Sequence, residues 1–331
     1  MVDKVKPVMV SGVRPTGRAH LGNLVGAFEN WVALQDEYSC FYCVVDWHAL
    51  TTGYEDTTEL RANTEELFLD LLSVGLDPER STIFIQSQVK QHAELGLLLG
   101  MITPLGWLER CPTFKEQLRQ LAGREISNLG LLGYPVLQAA DVLVHRGEFV
   151  PVGEDQLPHL ELTREIVRRF NHYYGPVLPE PQPLLSRFPL LPGTDGRKMS
   201  KSYDNTIAIS AEPEEVRAKV MAMTTDPARI RATDPGHPEV CNVYSLHQAF
   251  SAETQARIEA ECRAGERGCV ACKKELAGAI SEYLAPVHER RRQLQARPER
   301  IRELMEYGGE KARADAEAVM ADVRRAMNVW A

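Results

Sequence analysis

Two lysines three residues apart, Lys198 and Lys201, stand in a polar stretch with few apolar anchors, Gly196-Arg197-Lys198-Met199-Ser200-Lys201-Ser202. Ammonium groups at that spacing can flank a triphosphate and stabilise the negative charge that builds up in transfer. A second candidate lies near the N-terminus, Ser11-Gly12-Val13-Arg14-Pro15-Thr16-Gly17-Arg18-Ala19-His20-Leu21-Gly22-Asn23. Its small residues let a nucleotide approach the backbone closely, and the helix predicted to follow aims its amide-rich N-terminus at that turn. His20 and Asn23 share one face of the first helical turn, so both can reach one ligand. Alone, each segment has a plainer reading, a capped glycine-rich turn or a solvated loop. Their joint occurrence makes coincidence a poor explanation.

A third set falls in the middle of the chain. Tyr134, Gln138 and Asp141 occur at helical spacings of four and three, ahead of Val150-Pro151-Val152-Gly153-Glu154-Asp155-Gln156. A carboxylate on an apolar helix face needs a partner, because an unpaired buried charge is costly. An indole N–H would be one partner and a neighbouring backbone group another. Late in the chain, Cys241, Cys262, Cys269 and Cys272 have spacings of the kind that hold zinc or an iron–sulfur cluster, or are reduced free thiols. Cys40, Cys43 and Cys111 fall in strand or helix contexts and read as core residues.

These groups need a scaffold. Residues 6–13, 41–46, 82–86 and 149–152 read as strands, and 20–36, 57–75, 135–145 and 155–171 as helices. Such alternation predicts βαβ units around a parallel sheet, with ligands beyond the carboxyl ends of the strands. Residues 92–122 read as inserted helices, within an insertion spanning about 90–130. A Pro-rich stretch leads to the polar loop at 194–205, and from about 213 the pattern is helical. The fold class expected is therefore α/β: a Rossmann-type catalytic domain over 1–205 and an all-helical domain over 206–331. The chain has 331 residues and a net charge of -8, which argues mildly against nonspecific nucleic-acid binding. No apolar run is long enough for a membrane span and the N-terminus does not read as a signal peptide, so a cytoplasmic protein is expected. The basic stretch Arg290-Arg291-Arg292, with Arg297 and Arg300, could track nucleic-acid phosphates or be a solvated helix face.

The turn with HLGN at 20–23 and the KMSKS at 198–202 resemble the two signatures of the class I aminoacyl-tRNA synthetases. YPVLQAADVL followed by VPVGEDQ is similar to the bacterial tryptophanyl members, and the likeness runs through most of 8–205. The resemblance implies activation of L-tryptophan by Mg-ATP and transfer to tRNA(Trp), with His20, Asn23, Lys198 and Lys201 as catalytic residues. It puts Arg14, Pro15, Thr16, Gly22, Asn23, Gly153, Glu154, Asp155, Leu191, Lys198, Met199, Ser200, Lys201 and Ser202 at ATP. Tyr134, Gln138, Asp141 and Gln156 would line the amino-acid pocket, with Asp141 accepting the indole N–H. Arg14 stands where glutamine is usual in that family, and Gln138 where methionine is usual. The resemblance also implies an anticodon-binding helical domain, a homodimer in contact near residues 95–122, and a [4Fe-4S] cluster on the four late cysteines. Tyrosine is the alternative substrate, and a synthetase-like binding protein that charges no tRNA the alternative function.

Overall fold

Five parallel strands form one sheet in the computed structural model, which describes residues 6–112, 128–185, 191–231 and 233–330. They are β1 (Val8–Val13), β2 (Ser39–Val44), β3 (Ser81–Ile85), β4 (Phe149–Val152) and β5 (Gln182–Leu185), in the order β3-β2-β1-β4-β5. The chain moves outward from β1 to β3, then returns to place β4 on the other side of β1. A parallel sheet opens a crevice where its order reverses, at the carboxyl ends of the strands flanking that point. Here those ends lead into residues 14–23 and into Gly153, two of the segments singled out above.

The helices between strands are α1 (Leu21–Asn23), α2 (Glu29–Leu34), α3 (Asp46–Gly53), α4 (Leu60–Ser73), α5 (Gln91–Ile102), α6 (Leu105–Arg110), α7 (Leu129–Leu143) and α8 (Leu157–Tyr174). The helix expected over 20–36 is interrupted by a π-helical turn at Leu24–Phe28, where the Glu29 N–H reaches back to the Leu24 carbonyl. Such turns commonly mark functional sites. The helix expected from Pro135 begins earlier, at Leu129, because the Asn128 side chain caps it by accepting from the Leu131 N–H at 2.9 Å. Pro135 is thus an interior residue, and the burial of Leu131, Tyr134 and Val136 around it offsets the missing hydrogen bond. The insertion appears as α5 and α6, with 113–127 outside the described residues. β5 falls in the Pro-rich stretch, for which no strand is expected from the sequence. It is an edge strand, where Pro183 has a neighbour on one side only and a missing donor is tolerated.

Past residue 213 the elements are helical as expected: α9 (Pro213–Ala222), α10 (Asn242–Phe250), α11 (Gln255–Arg263), α12 (Cys269–Gln295) and α13 (Pro298–Met327). They share the core of the sheet. One apolar cluster joins Met9, Leu21 and Phe68 to Val216, Leu276 and Leu284, and a second joins Val10 and Phe84 to Ala316 and Val323. α13 lies directly on β3, where a Cβ at Gly308 would stand 1.8 Å from the Ile83 carbonyl oxygen. Cys40, Cys43 and Cys111 are buried free thiols.

Candidate active site

At the end of β1 the backbone turns through Arg14 to Ala19 and enters α1 at His20. The His20 ring Nδ1 accepts from the Asn23 N–H at 3.3 Å, while Asn23 Oδ1 accepts from the His20 N–H at 3.1 Å. This reciprocal cap locks the ring. It also fixes the tautomer: with Nδ1 accepting, the proton of the neutral ring sits on Nε2. Burial, and then the charge of Lys201, push the His20 pKa down to about 4, so the ring is a neutral donor near neutral pH.

The KMSKS loop is fastened to this turn. Lys201 Nζ donates to the Gly17 carbonyl at 2.7 Å, and Met199 Sδ lies 3.3 Å from the Gly22 N–H. Beyond the loop, Ile207 accepts from the Leu21 N–H and Ile209 donates to the Ala19 carbonyl, both at 2.9 Å. Buried Asn205 shapes the loop from inside, accepting from the Ser200 N–H at 2.8 Å and donating to Asp195 and to the Lys198 carbonyl. Leu191 is buried and its carbonyl accepts from Met199. Burial lowers Lys201 to about 8, with the Asp70 carboxylate opposing and the Arg14 charge adding to the fall. Arg14 and Thr16 are exposed and Pro15 buried in the same turn, Gly153, Glu154 and Asp155 are exposed after β4, and Lys198 is exposed. The side chain of Ser202 lies outside the described residues.

A cavity of ≈ 540 Å³ runs inward from Arg14 and Asn23 between the ends of β1 and β4. Tyr134, Gln138, Asp141 and Gln156, the four residues expected at the amino acid, all line it, together with Gly153, expected at ATP. It also places there two residues that spacing alone did not reveal, His48 and His159. Tyr134 Oη is 2.7 Å from His159 Nε2, and His159 Nδ1 is 3.1 Å from Gln156 Oε1.

Asp141 has protein partners already: His48 Nε2 at 2.7 Å, His92 Nδ1 at 2.7 Å and Gln86 Nε2 at 2.6 Å. The expectation that its charge is met by a ligand or by backbone is corrected to this extent. Burial alone would raise its pKa, but His48 and His92 overcome that and hold the carboxyl well below the usual range. A carboxylate has about four acceptor positions, and three donors leave one for a ligand N–H.

The basic stretch is partly turned inward. Arg291 pairs with Asp70 at 2.6 Å and with Glu66, and Arg290 donates to the Ser73 carbonyl at 2.6 Å. Both fasten α12 to α4, which neither reading of this stretch anticipated. Arg292 and Arg300 pair with Glu289 and Glu303 at the surface.

The late cysteines lie within electrostatic reach of one another without forming a ligand group among the described residues. Burial raises the Cys272 thiol to about 12, Arg267 opposes, and Cys241, Cys262 and Cys269 add to the rise. Arg229 Nη1 lies 3.9 Å from both Cys262 Sγ and Cys269 Sγ, and a Cβ at Gly236 would stand 2.4 Å from Cys262 Sγ. Among the described residues no three His, Cys, Asp or Glu side chains stand grouped as metal ligands.

The parallel sheet, the buried histidine of its first turn, the lysine loop fastened to that turn and the carboxylate pocket thus lie at one end of the fold. The chain belongs to the tRNA synthetases class I (W and Y), matched over residues 3–285. It is 51% identical to the tryptophan--tRNA ligase of Thermotoga maritima, over 97% of this chain and 99% of that protein. With the tryptophan--tRNA ligase of Aquifex aeolicus it shares 46% identity over 97% and 99%. The fold matches the crystal structure of tryptophanyl-tRNA synthetase from Campylobacter jejuni complexed with ADP and tryptophan, with a TM-score of 0.88, 31% identity and coverage of 97% and 100%.

Proposed function

We propose that this chain is a tryptophan--tRNA ligase. A carboxylate oxygen of L-tryptophan attacks the α-phosphorus of Mg-ATP, the bond to the bridging oxygen breaks, and pyrophosphate leaves. A hydroxyl of the 3′-terminal adenosine of tRNA(Trp) then attacks the adenylate carbonyl, and AMP departs. Lys201 and Lys198 offset charge on the phosphates, and His20 donates through Nε2. Asn23 holds His20, while Arg14, Pro15, Thr16, Gly22, Gly153 to Asp155, Leu191 and Met199 to Ser202 frame the nucleotide. Tyr134, Gln138, Gln156 and Asp141 hold the amino acid. Catalysis of this kind rests on positioning and charge, without a protein nucleophile.

The carrying observation is the acceptor position of Asp141 at the bottom of a cavity that opens onto the His20 turn. A site built to accept an N–H rejects analogues lacking it by roughly 10⁴-fold, which serves against phenylalanine. Tyrosine is the substrate to exclude. Amino-acid-dependent ATP–pyrophosphate exchange with all twenty amino acids is the test. Exchange with tryptophan alone is expected, exchange with tyrosine reassigns the pocket, and no exchange turns the chain into a binding protein.

The same reading assigns residues 1–205 to catalysis and 206–331 to anticodon binding. It includes a homodimer in the cytoplasm, and no helix among the described residues is long and apolar enough to cross a membrane. Cys241, Cys262, Cys269 and Cys272 would hold a [4Fe-4S] cluster. Arg229 beside the Cys262 and Cys269 thiols suits an anionic iron–sulfur group, although the four thiols are not grouped as ligands among the described residues. When bound, it would cross-link residues 241–272. Anaerobic purification with iron analysis and visible absorbance tests this, and a colourless, iron-free protein rejects it.

A further inference from the structure

Asp141 is one end of a longer polar chain. His92 takes its Oδ1 through Nδ1, His92 Nε2 lies 3.3 Å from His145 Nε2, and His145 Nδ1 lies 2.8 Å from Asp315 Oδ2. His92 and His145 are buried, whereas Asp315, on α13, has a side chain 43% exposed. Phe41 stacks on the His145 ring at 4.4 Å and Phe84 packs against both imidazoles, so water is kept from the middle of the chain.

Proton counting constrains this arrangement. Each carboxylate only accepts, so Nδ1 of His92 and Nδ1 of His145 must both carry hydrogen. Two neutral rings of that tautomer would set their Nε2 lone pairs against each other at 3.3 Å, in a dry setting where an unmade hydrogen bond is costly. One further proton therefore lies between the rings, and a single positive charge is held between two carboxylates. Burial holds the His145 ring down to about 4, against the Asp315 carboxylate that opposes the fall.

We propose that Asp315 is a positioning residue for the amino-acid pocket: through His145 and His92 it sets the orientation and charge of the Asp141 carboxylate. This rests on the reading of Asp141 as the acceptor of the tryptophan indole. Without the Asp315 charge the proton shared by the two rings is less well held, and the His145–His92 contact that steadies the Asp141 carboxylate weakens. Asp141 would then turn, and indole binding would weaken while the nucleotide end stayed as it was.

Asp315→Asn keeps an oxygen for His145 but removes the charge. Tryptophan KM in pyrophosphate exchange is expected to rise roughly three- to thirty-fold, the range for residues coupled to a site at a distance. ATP KM, the rate at saturating tryptophan and the melting temperature are expected to hold, and Asp315→Glu is expected to restore tryptophan KM. An unchanged tryptophan KM overturns the proposal, as does an equal rise in both KM values with a lowered melting temperature. The unaltered protein gives an independent readout through ¹H–¹⁵N spectra of its labelled histidines. A proton on one of the two facing Nε2 atoms is expected, and two bare Nε2 atoms refute the chain. Absence of tryptophan-dependent exchange in the unaltered protein would instead sink the functional reading, and the histidine spectrum would still judge the proton arrangement.

Discussion

The two ends of the cavity are built on opposite plans. At the amino-acid end Tyr134, Asp141, His48 and His159 sit on helices, are buried, and meet partners at hydrogen-bond distance before any ligand arrives. At the nucleotide end His20 is locked as the cap of α1, but the lysines are carried by a loop, Lys198 is exposed, and Lys201 meets a backbone carbonyl instead of an anion. The first end is preorganised and can select by leaving a wrong ligand's missing group unmatched. The second holds cations whose natural partner is a mobile polyanion, so it completes itself when ATP binds. Selection and reaction are thereby separated along one cavity.

Four substitutions or titrations can break or sharpen that contrast. Lys201→Ala removes the cation facing the phosphates, and the activation rate should fall by about 10²- to 10³-fold with little change in tryptophan affinity. Single-turnover adenylate formation and equilibrium tryptophan binding measure the two separately. If tryptophan affinity falls as far as the rate, the two ends are not independent. Asp141→Ala leaves His48, Gln86 and His92 without their common acceptor. Tryptophan KM should rise about 10²-fold, and thermal unfolding should show a loss of about 3 kcal/mol, as when a buried ion pair is broken from one side. ATP affinity should be spared; equal losses would make Asp141 a structural residue.

Asn205→Ala releases the KMSKS loop from inside without touching Lys201, so kcat should drop about ten-fold at constant tryptophan KM. A normal kcat would mean that the segment at 207–209 suffices to hold the loop. The smallest effect expected is on pH dependence. Lys201 must be protonated and its pKa is near 8, so kcat/KM for ATP should fall as pH rises past about 8. Bound triphosphate favours the charged lysine, and kcat should therefore hold to higher pH. His20, pushed down to about 4, should contribute no limb between pH 5 and 9.

The sheet, the C-terminal helices and the pocket helix were legible because each follows a period of its own in the sequence. Tyr134, Gln138 and Asp141 could be read as one face since helical spacing is local. What was illegible came from distance or from exceptions. His48 sits on α3, a short helix with little amphipathic signal, and His92 reaches Asp141 only because α5 packs on α7. His145 lies just past the end of α7, and its link to Asp315 spans 170 positions, beyond any periodicity. β5 was hidden by prolines that an edge strand tolerates, and the π turn by an otherwise continuous helical pattern. Arg290 and Arg291 looked like surface charge because nothing in their own segment announces the carboxylates and carbonyls of α4.

The close seat of α13 on β3 ties the sheet to the order in which the chain is made. β3 emerges early, yet the backbone at Ile83 meets the helix carrying Gly308 and Gly309, which comes some two hundred residues later. Folding that begins at the N-terminus during synthesis must leave that flank of the sheet bare until residues 298–327 have been added. The same late helix brings Asp315 to His145. A chain cut before residue 298 would thus carry both signatures and still lack this helix on β3, so the docking of α13 marks the point at which that side of the sheet is closed.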